Sequence, residues 1–202
     1  MREALFTVGC SNHSMEAFLD LLRRHDIQAV ADVRSVPFSR FTPQFNAPAL
    51  KPALTEAGIF YIPMGNEFGA RRSEADAYQN GRVDFEKVRC LPMFKQGFVR
   101  IQAGLERGLR IALMCTEKDP MDCHRFILVA RNIERELGVP IKHIKLDGSL
   151  EDTFSVENRM LQKTGLQQDM FNPERQPLVE LAYSMIGSQI AYSENKEDNN
   201  HD

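Results

Sequence analysis

Two thiols, an imidazole, a carboxylate and a guanidinium lie within one short stretch of the chain, IALMCTEKDPMDCHR at residues 111–125. The groups that carry this chemistry are Cys115, Glu117, Cys123, His124 and Arg125. The apolar run before Cys115 predicts a strand, and the polar loop that ends at Cys123 leads into a helical pattern. Because ligands of open α/β sheets bind at such carboxyl-end junctions, we expect the functional site here.

The two cysteines of this stretch indicate thiol chemistry. Asp122 is expected to cap the following helix, which places Cys123 in the first turn, where free N–H groups and the helix dipole favour a thiolate. Cys115, at the end of the strand, is the candidate partner thiol. In this interpretation one of the two is a nucleophile and a neighbouring imidazole is its base. The predicted catalytic residues are Cys115, Cys123, His124, Glu117 and Asp32.

Strand and helix patterns alternate along most of the chain. The strand patterns cover residues 5–8, 29–33, 59–63, 109–114 and 141–146. The helical patterns cover residues 15–25, 49–57, 94–107 and 122–137, with two more within 150–192. The alternation predicts an α/β three-layer sandwich, with a mostly parallel, doubly wound, Rossmann-like sheet and added C-terminal helices. We expect one domain over residues 1–192 and a disordered acidic tail over residues 193–202.

A doubly wound sheet brings distant polar segments to one crevice. If the strands follow the common order third, second, first, fourth and fifth, the first and fourth are neighbours, and the segment CSNH at residues 10–13 flanks Cys115. The end of the second strand, with Asp32, borders the same crevice. Arginines near helix N-termini suit an anion. The predicted substrate-binding residues are Ser11, Asn12, Arg34, Ser39, Arg40, Arg71 and Arg125.

Three segments together resemble a known family. They are TVGCSNHSMEAFLDLLRRHDI, ADVRSVPFSRFTPQFN and ALMCTEKDPMDCHR, and they resemble the domain of unknown function 488 family over most of residues 5–150. The resemblance implies a compact α/β sandwich and brings no established reaction. Family members commonly have His where this chain has Cys10. Because His and Cys both bind zinc and iron well, the exchange suits a metal site, whose predicted ligands are Cys10, Cys115 and Cys123.

Composition narrows the classes of function. A formal net charge of −3 and a pI of about 6.0 argue against a general polyanion-binding surface, which needs concentrated Lys and Arg. No apolar run approaches the roughly 20 residues that span a bilayer, and the first strand is not preceded by an apolar signal core. We therefore expect a cytoplasmic protein without membrane contact, in which four cysteines are too few for a disulfide scaffold.

The residues leave three functions open. The first, which we favour, is a thiol-dependent transferase or hydrolase that acts on a small anionic or nucleotide-like substrate. The second is a zinc- or iron-binding protein that uses the three cysteines named above. The third is a nucleic-acid-associated binding module in which Phe38, Phe41 and Phe45 interleave with Arg40 and stack on bases. The acidic balance of the chain counts against the third.

Overall fold

The computed structural model describes residues 5–10, 13–169 and 174–193. Its strands are β1 (Leu5–Gly9), β2 (Ala29–Asp32), β3 (Phe60–Pro63), β4 (Tyr78–Gln79), β5 (Arg82–Val83), β6 (Ile111–Cys115), β7 (Ile141–Ile144) and β8 (Leu150–Asp152). Six of them form one sheet in the order β3-β2-β6-β1-β7-β8, while β4 and β5 form a separate hairpin. All pairs in the large sheet are parallel except β7 with β8. The mostly parallel sheet predicted from the sequence is confirmed.

Helices connect these strands and cover both faces of the sheet. They are α1 (Met15–Arg24), α2 (Ala47–Glu56), α3 (Gly65–Phe68), α4 (Phe85–Val88), α5 (Pro92–Glu106), α6 (Arg131–Leu137), α7 (Thr153–Thr164) and α8 (Arg175–Ile190). A π-helical segment, Arg125–Ala130, runs directly into α6. Within the described ranges, every helix is too short or too polar to cross a membrane. The sheet with helices on both faces, followed by α7 and α8, confirms the predicted three-layer α/β sandwich with added C-terminal helices.

The strand order differs from the expected one at a single place. The predicted contact between the first and fourth strands exists, because β1 pairs with β6. However, β6 also pairs with β2, and it therefore separates β2 from β1 instead of lying outside both. Sequence patterns do not distinguish the two orders. Strands that are buried on both faces are all short apolar runs, and nothing in such a run indicates which strands pair with it.

Two apolar cores lie on opposite faces of the sheet. On one face, Phe18 and Leu22 of α1 and Leu50 and Leu54 of α2 are fully buried in one cluster. On the other face, a larger cluster combines side chains of α5, α6, α7 and α8, among them Phe94, Ile133, Met160 and Tyr183. Because strand side chains alternate between the faces, each residue at a strand end is assigned to one of these two environments.

The extent of the domain stays a prediction. The antiparallel edge strand β8 and the hairpin β4–β5 were absent from the predicted elements, and both are short. Of the predicted acidic tail, residues 193–202, only Ser193 is described, and it bridges to Arg82 in β5. The rest of the tail lies outside the described residues.

Candidate thiol site at the end of strand β6

Cys115 and Cys123 stand at the two ends of the loop that joins β6 to the helical segment. Cys115 is the last residue of β6 and is 3% exposed, and Cys123 is 1% exposed. Cys123 has extended backbone angles, and its carbonyl accepts hydrogen bonds from the N–H groups of Phe126 and Ile127. Its Sγ accepts the N–H of Arg125 at 3.4 Å. This is the geometry of a helix N-cap, with a thiol in the place of the usual hydroxyl.

The expected cap at Asp122 is therefore displaced by one residue. Asp122 is exposed, and its carboxylate forms an ion pair with Lys163 of α7 at 2.5 Å. Asp119 starts the short 3₁₀ turn Pro120–Asp122 by accepting the N–H of Met121 at 2.9 Å. The predicted start of the helix at residue 122 is thus about two residues early, because the sequence pattern does not report which of two adjacent residues folds back onto the first free N–H groups.

Two polar side chains, Glu117 and His124, meet the two sulfurs. The Sγ of Cys115 lies 3.8 Å from Nδ1 of His124, and the Sγ of Cys123 lies 2.9 Å from Oε2 of Glu117. Nε2 of His124 donates to the carbonyl of Val33 at 3.0 Å, which leaves Nδ1 turned toward the thiols. One donor atom from each of Cys115, Cys123 and His124 lies within 4.8 Å of the other two. We refer to Cys115, Glu117, Cys123 and His124 as the thiol cluster.

Charge is distributed unequally between the two thiols. Burial opposes ionisation of Cys123, but the hydrogen bond from Cys115 and the charges of Arg125 and His124 outweigh it and hold the pKa of the Cys123 thiol well below its usual value. The hydrogen bond that Cys115 gives to Cys123, together with burial, raises the pKa of Cys115 well above its usual value. Cys123 is therefore the thiolate of the pair, and Cys115 is its hydrogen-bond donor.

The two remaining members of the cluster hold protons more tightly than usual. Removal of the Glu117 carboxyl group from water, with the negative charge of Cys123 and its hydrogen bond, raises the pKa of Glu117. Burial favours a neutral His124, but the hydrogen bond and charge of Cys123 outweigh burial and raise the pKa of the imidazole. The cluster thus combines a thiolate with two neighbouring proton carriers.

Arg125 fixes the loop that carries the cluster. Its side chain is fully buried, Nη1 donates to the carbonyl of Glu117 at 2.5 Å, and Nη2 donates to the carbonyl of Lys118 at 3.2 Å. Gly9 makes room for the same loop, because a Cβ at this position would overlap the backbone carbonyl of Glu117. The guanidinium expected to bind substrate is therefore directed at backbone carbonyls, and its charge acts on the adjacent thiol.

Asp32 and Arg34 form a second polar group, on the α1 and α2 face. Nε and Nη2 of Arg34 donate to the two carboxylate oxygens of Asp32 at 2.8 and 2.6 Å, and Nη2 also donates to the carbonyl of Phe45 at 2.9 Å. The hydroxyl of Tyr61 donates to Asp32 at 2.9 Å. A cavity of about 340 Å³ lies beside this group, with Arg100 among its lining residues.

Cys10 belongs to the face of Asp32 and not to the thiol cluster. Gly9 is the residue that pairs with Cys115, so the next side chain along β1 points to the opposite face. Cys10 accordingly packs in the core cluster that contains Phe18, and only its backbone N–H reaches Cys115, whose carbonyl accepts it at 2.8 Å. Burial raises the pKa of Cys10 to about 11. The structure therefore replaces Cys10 with His124 in the set of candidate metal ligands.

The other predicted substrate-binding residues are not gathered at the thiols. The hydroxyl of Ser39 accepts the N–H groups of Phe41 and Thr42 within its own loop. Arg40 is exposed in that loop. Arg71 places its guanidinium over the ring of Tyr192 at 4.9 Å. Ser11 and Asn12 lie outside the described residues.

Three groups at the site had no place in the sequence prediction. The hydroxyl of Tyr61, the carbonyl of Val33 and the absent side chain of Gly9 all shape it. Tyr61 is the one that a sequence signal could have identified, because strand alternation places an isolated hydroxyl within an otherwise apolar strand.

In the loop proposed to stack on bases, Phe45 is fully buried, whereas Phe38 and Phe41 are exposed.

Comparison with known proteins adds a family and no reaction. The model of the family described as domain of unknown function DUF488 matches residues 14–131, a range that contains Asp32 and the whole thiol cluster. A search of curated proteins found no match.

Proposed function

The chain belongs to the DUF488 family, and we propose that it is a thiol-dependent transferase or hydrolase in which Cys123 attacks a small anionic or nucleotide-like substrate. One observation carries the proposal. The Sγ of Cys123 caps a helical segment, accepts the N–H of Arg125 and lies 2.9 Å from the carboxyl group of Glu117. A thiol with these neighbours is held as a thiolate and has a proton acceptor in contact, as a nucleophile requires.

The proton shared by Cys123 and Glu117 is sufficient for a complete attack step. Before the attack the thiol proton of Cys123 resides on Glu117, and the thiolate forms a bond to the electrophilic atom of the substrate. The bond from that atom to the leaving group breaks, and the leaving group departs with the bonding electron pair and the proton from Glu117. Water, or a second substrate, then attacks the same atom and gives a proton to Glu117. The bond from that atom to the sulfur breaks, and Cys123 returns to the thiolate. Glu117 suits both transfers because its carboxyl group lies 2.9 Å from the sulfur and its raised pKa lets it hold a proton more tightly than an exposed carboxyl group does.

Cys115 and His124 support the thiolate without taking part in bond formation. Cys115 keeps its proton and donates to the sulfur of Cys123, which spreads the negative charge. His124 is oriented by its hydrogen bond to the carbonyl of Val33, and its raised pKa favours the imidazolium. A positive charge beside the thiolate stabilises it in the same way as the buried guanidinium of Arg125.

Arg34 is the proposed substrate-binding group. Its Nε and Nη2 are held by Asp32, whose carboxylate is itself fixed by Tyr61. Nη1 has no hydrogen-bond partner within the described ranges, and the residue borders the cavity of about 340 Å³. Asp32 therefore acts as a positioning residue that presents the free edge of a guanidinium, a group suited to carboxylate or phosphate oxygens.

The test is a substrate screen led by phosphorylated and sulfur-containing metabolites, with matched cysteine variants. Cys123→Ser should lose nearly all turnover of any substrate found, whereas Cys90→Ser should keep full turnover because Cys90 is exposed and lies outside the thiol cluster. Arg34→Lys should raise KM more than it lowers kcat, since lysine cannot keep the two-point contact with Asp32. Full activity of Cys123→Ser on an identified substrate would refute the proposal.

A second candidate, a zinc or iron centre, is favoured by one observation. Donor atoms of Cys115, Cys123 and His124 converge within 4.8 Å, and His124 already donates its other ring N–H to a backbone carbonyl, as metal-bound histidines do. Two thiolates and one imidazole with a free fourth position suit a catalytic zinc, which would supply a bound water of low pKa. The residues present therefore fit such an ion.

Metal analysis of protein purified without an affinity tag decides between the two candidates. A metal centre predicts one equivalent of zinc or iron that is lost in Cys115→Ser and retained in Cys10→Ser, because Cys10 lies on the other face of the sheet. Equal loss from both variants would contradict this ligand set. Metal-free protein with full turnover would exclude the metal centre and leave the thiol mechanism as the remaining candidate.

A further inference from the structure

A second cavity, of about 370 Å³, lies away from both polar groups at the sheet edge. It is enclosed by the hairpin β4–β5, the start of α4, the π-helical segment and α8. Its apolar lining comes from buried side chains of Val83, Ile127, Leu128 and Tyr183. Charged and hydroxyl side chains complete the lining. An apolar surface with a few polar groups is the usual composition of a small-molecule site.

Arg131 is the polar group that points to a ligand. Its side chain is only 10% exposed, its guanidinium stacks on the ring of Tyr183 at 4.0 Å, and it pairs with Glu180. Its Nε is buried and has no hydrogen-bond partner within the described residues. A buried N–H donor without an acceptor is uncommon in folded proteins. A ligand oxygen in the cavity would supply the acceptor.

The charges around the cavity favour an anion. Arg131 shares the single carboxylate of Glu180 with Arg135, so this trio carries one net positive charge. Arg82, on the opposite wall, donates to the backbone carbonyl of Ser188 and has no carboxylate in ion-pair contact within the described residues. Glu86 also lines the cavity, and it is paired with Arg89. Asp84 offsets one of the remaining charges. One positive charge is therefore left in excess in this group of side chains.

Neutral donors stand beside Arg131. Asn132 is buried, and one N–H of its Nδ2 donates to the carbonyl of Leu128 at 2.6 Å, while the amide group has a second N–H. Ser184 and Ser188 add hydroxyls from α8. These groups can bind the polar end of a ligand whose apolar body rests against Phe85 and Tyr183.

From these contacts we propose that the cavity between the hairpin β4–β5 and α8 binds a small organic anion, with a carboxylate or phosphate group on Arg131 and Arg82 and an apolar body on the aromatic wall. The site is separate from the thiol cluster and does not depend on the function proposed above. Its ligand is defined by the pairing of one anionic oxygen group with a flat apolar surface.

Calorimetric titration of the full chain with benzoate and phenyl phosphate, and with benzyl alcohol as the neutral analogue, tests the proposal. At least one anion should bind saturably, and benzyl alcohol should not. Arg131→Met should weaken the binding about tenfold or more, because a charge-assisted hydrogen bond is lost. Arg135→Met is the matched control: Arg135 also pairs with Glu180 but does not line the cavity, so this change should weaken binding clearly less than Arg131→Met.

A second variant keeps the test decisive if Arg131→Met does not fold. Ser184 is exposed and lines the cavity, so Ser184→Leu should fill the space without removing a core side chain. It should abolish binding of the anion while circular dichroism stays unchanged. Absence of binding by both anions, equal binding of benzyl alcohol, equal weakening in Arg135→Met, or unchanged binding in Ser184→Leu would each overturn the assignment.

Discussion

His143 is expected to make the protein unstable in acid, and the size of the effect follows from its surroundings. The imidazole is fully buried in β7, where its Nδ1 lies 2.8 Å from the hydroxyl of Thr7 and its ring packs edge-on against Phe126. Burial, followed by the charges of Arg125 and Arg159, lowers the pKa of His143 from the ordinary 6.5 to about 3. Folding therefore requires a neutral ring.

The sign follows from proton binding in the two states. Below pH 6.5 the unfolded chain takes up a proton at His143 that the folded protein rejects until about pH 3, so the free energy of unfolding falls as the pH falls through this window. The slope is about 1.4 kcal/mol per pH unit, which amounts to about 3 kcal/mol by a pH of about 4.5. That is a large fraction of the stability of an ordinary domain.

Urea unfolding of wild type and His143→Gln across this pH range measures the effect. Glutamine keeps an acceptor for the hydroxyl of Thr7 but does not titrate, so the variant should be less stable at neutral pH and should lose less stability in acid. His124 has a raised pKa and contributes stability at low pH, but it is present in both proteins and cancels from the difference. An identical pH dependence in the two proteins would refute the reasoning.

Three further substitutions probe the sheet edge. Asp32→Asn leaves the guanidinium of Arg34 buried without its carboxylate, and urea unfolding should show a loss of about 3–5 kcal/mol; a loss below the error of the method would contradict a buried ion pair. Gly9→Ala places a Cβ on the backbone carbonyl of Glu117, so it should displace the loop beside buried Cys123 and speed labelling of Cys123 by a thiol reagent, while labelling of exposed Cys90 stays unchanged. Glu117→Gln cannot take the proton of Cys123, so kcat should fall about a hundredfold, and an unchanged rate would remove Glu117 from the mechanism.

The sequence was sufficient to predict that Cys115, Cys123 and Asp32 lie at one edge of the sheet, because strand ends are visible in it. The apolar run before Cys115 and the short loop to Cys123 fix one junction, and the run before Asp32 fixes another. The carboxyl ends of parallel strands meet at one edge, so these residues had to lie along the same edge whatever the strand order. The incorrect position of β6 relative to β1 and β2 therefore did not displace the prediction of the edge.

The sequence was not sufficient for the contacts within this edge of the sheet. They depend on which face of the sheet the last residue of each strand points to, and a shift of one residue reverses that face. A single residue separates Gly9, which pairs with Cys115, from Cys10, which faces the opposite core. The cap on the helical segment likewise moved by one residue, from Asp122 to Cys123. Such one-residue choices are decided by loop geometry, to which hydrophobic periodicity is insensitive.

The positions of Cys123 and Arg34 on opposite faces of the sheet also constrain the substrate of the proposed enzyme. Cys123 belongs to the core cluster on the α5 to α8 face, whereas Arg34 is paired with Asp32 on the α1 and α2 face. Nε2 of His124 joins the two sides through the carbonyl of Val33, just beyond the end of β2. A ligand held by Arg34 and attacked by Cys123 must therefore cross the end of β2, beyond the last pair of the sheet. An elongated anion, with its charged group separated from its electrophilic atom, satisfies this geometry better than a bare oxyanion, and it should come first in the substrate screen.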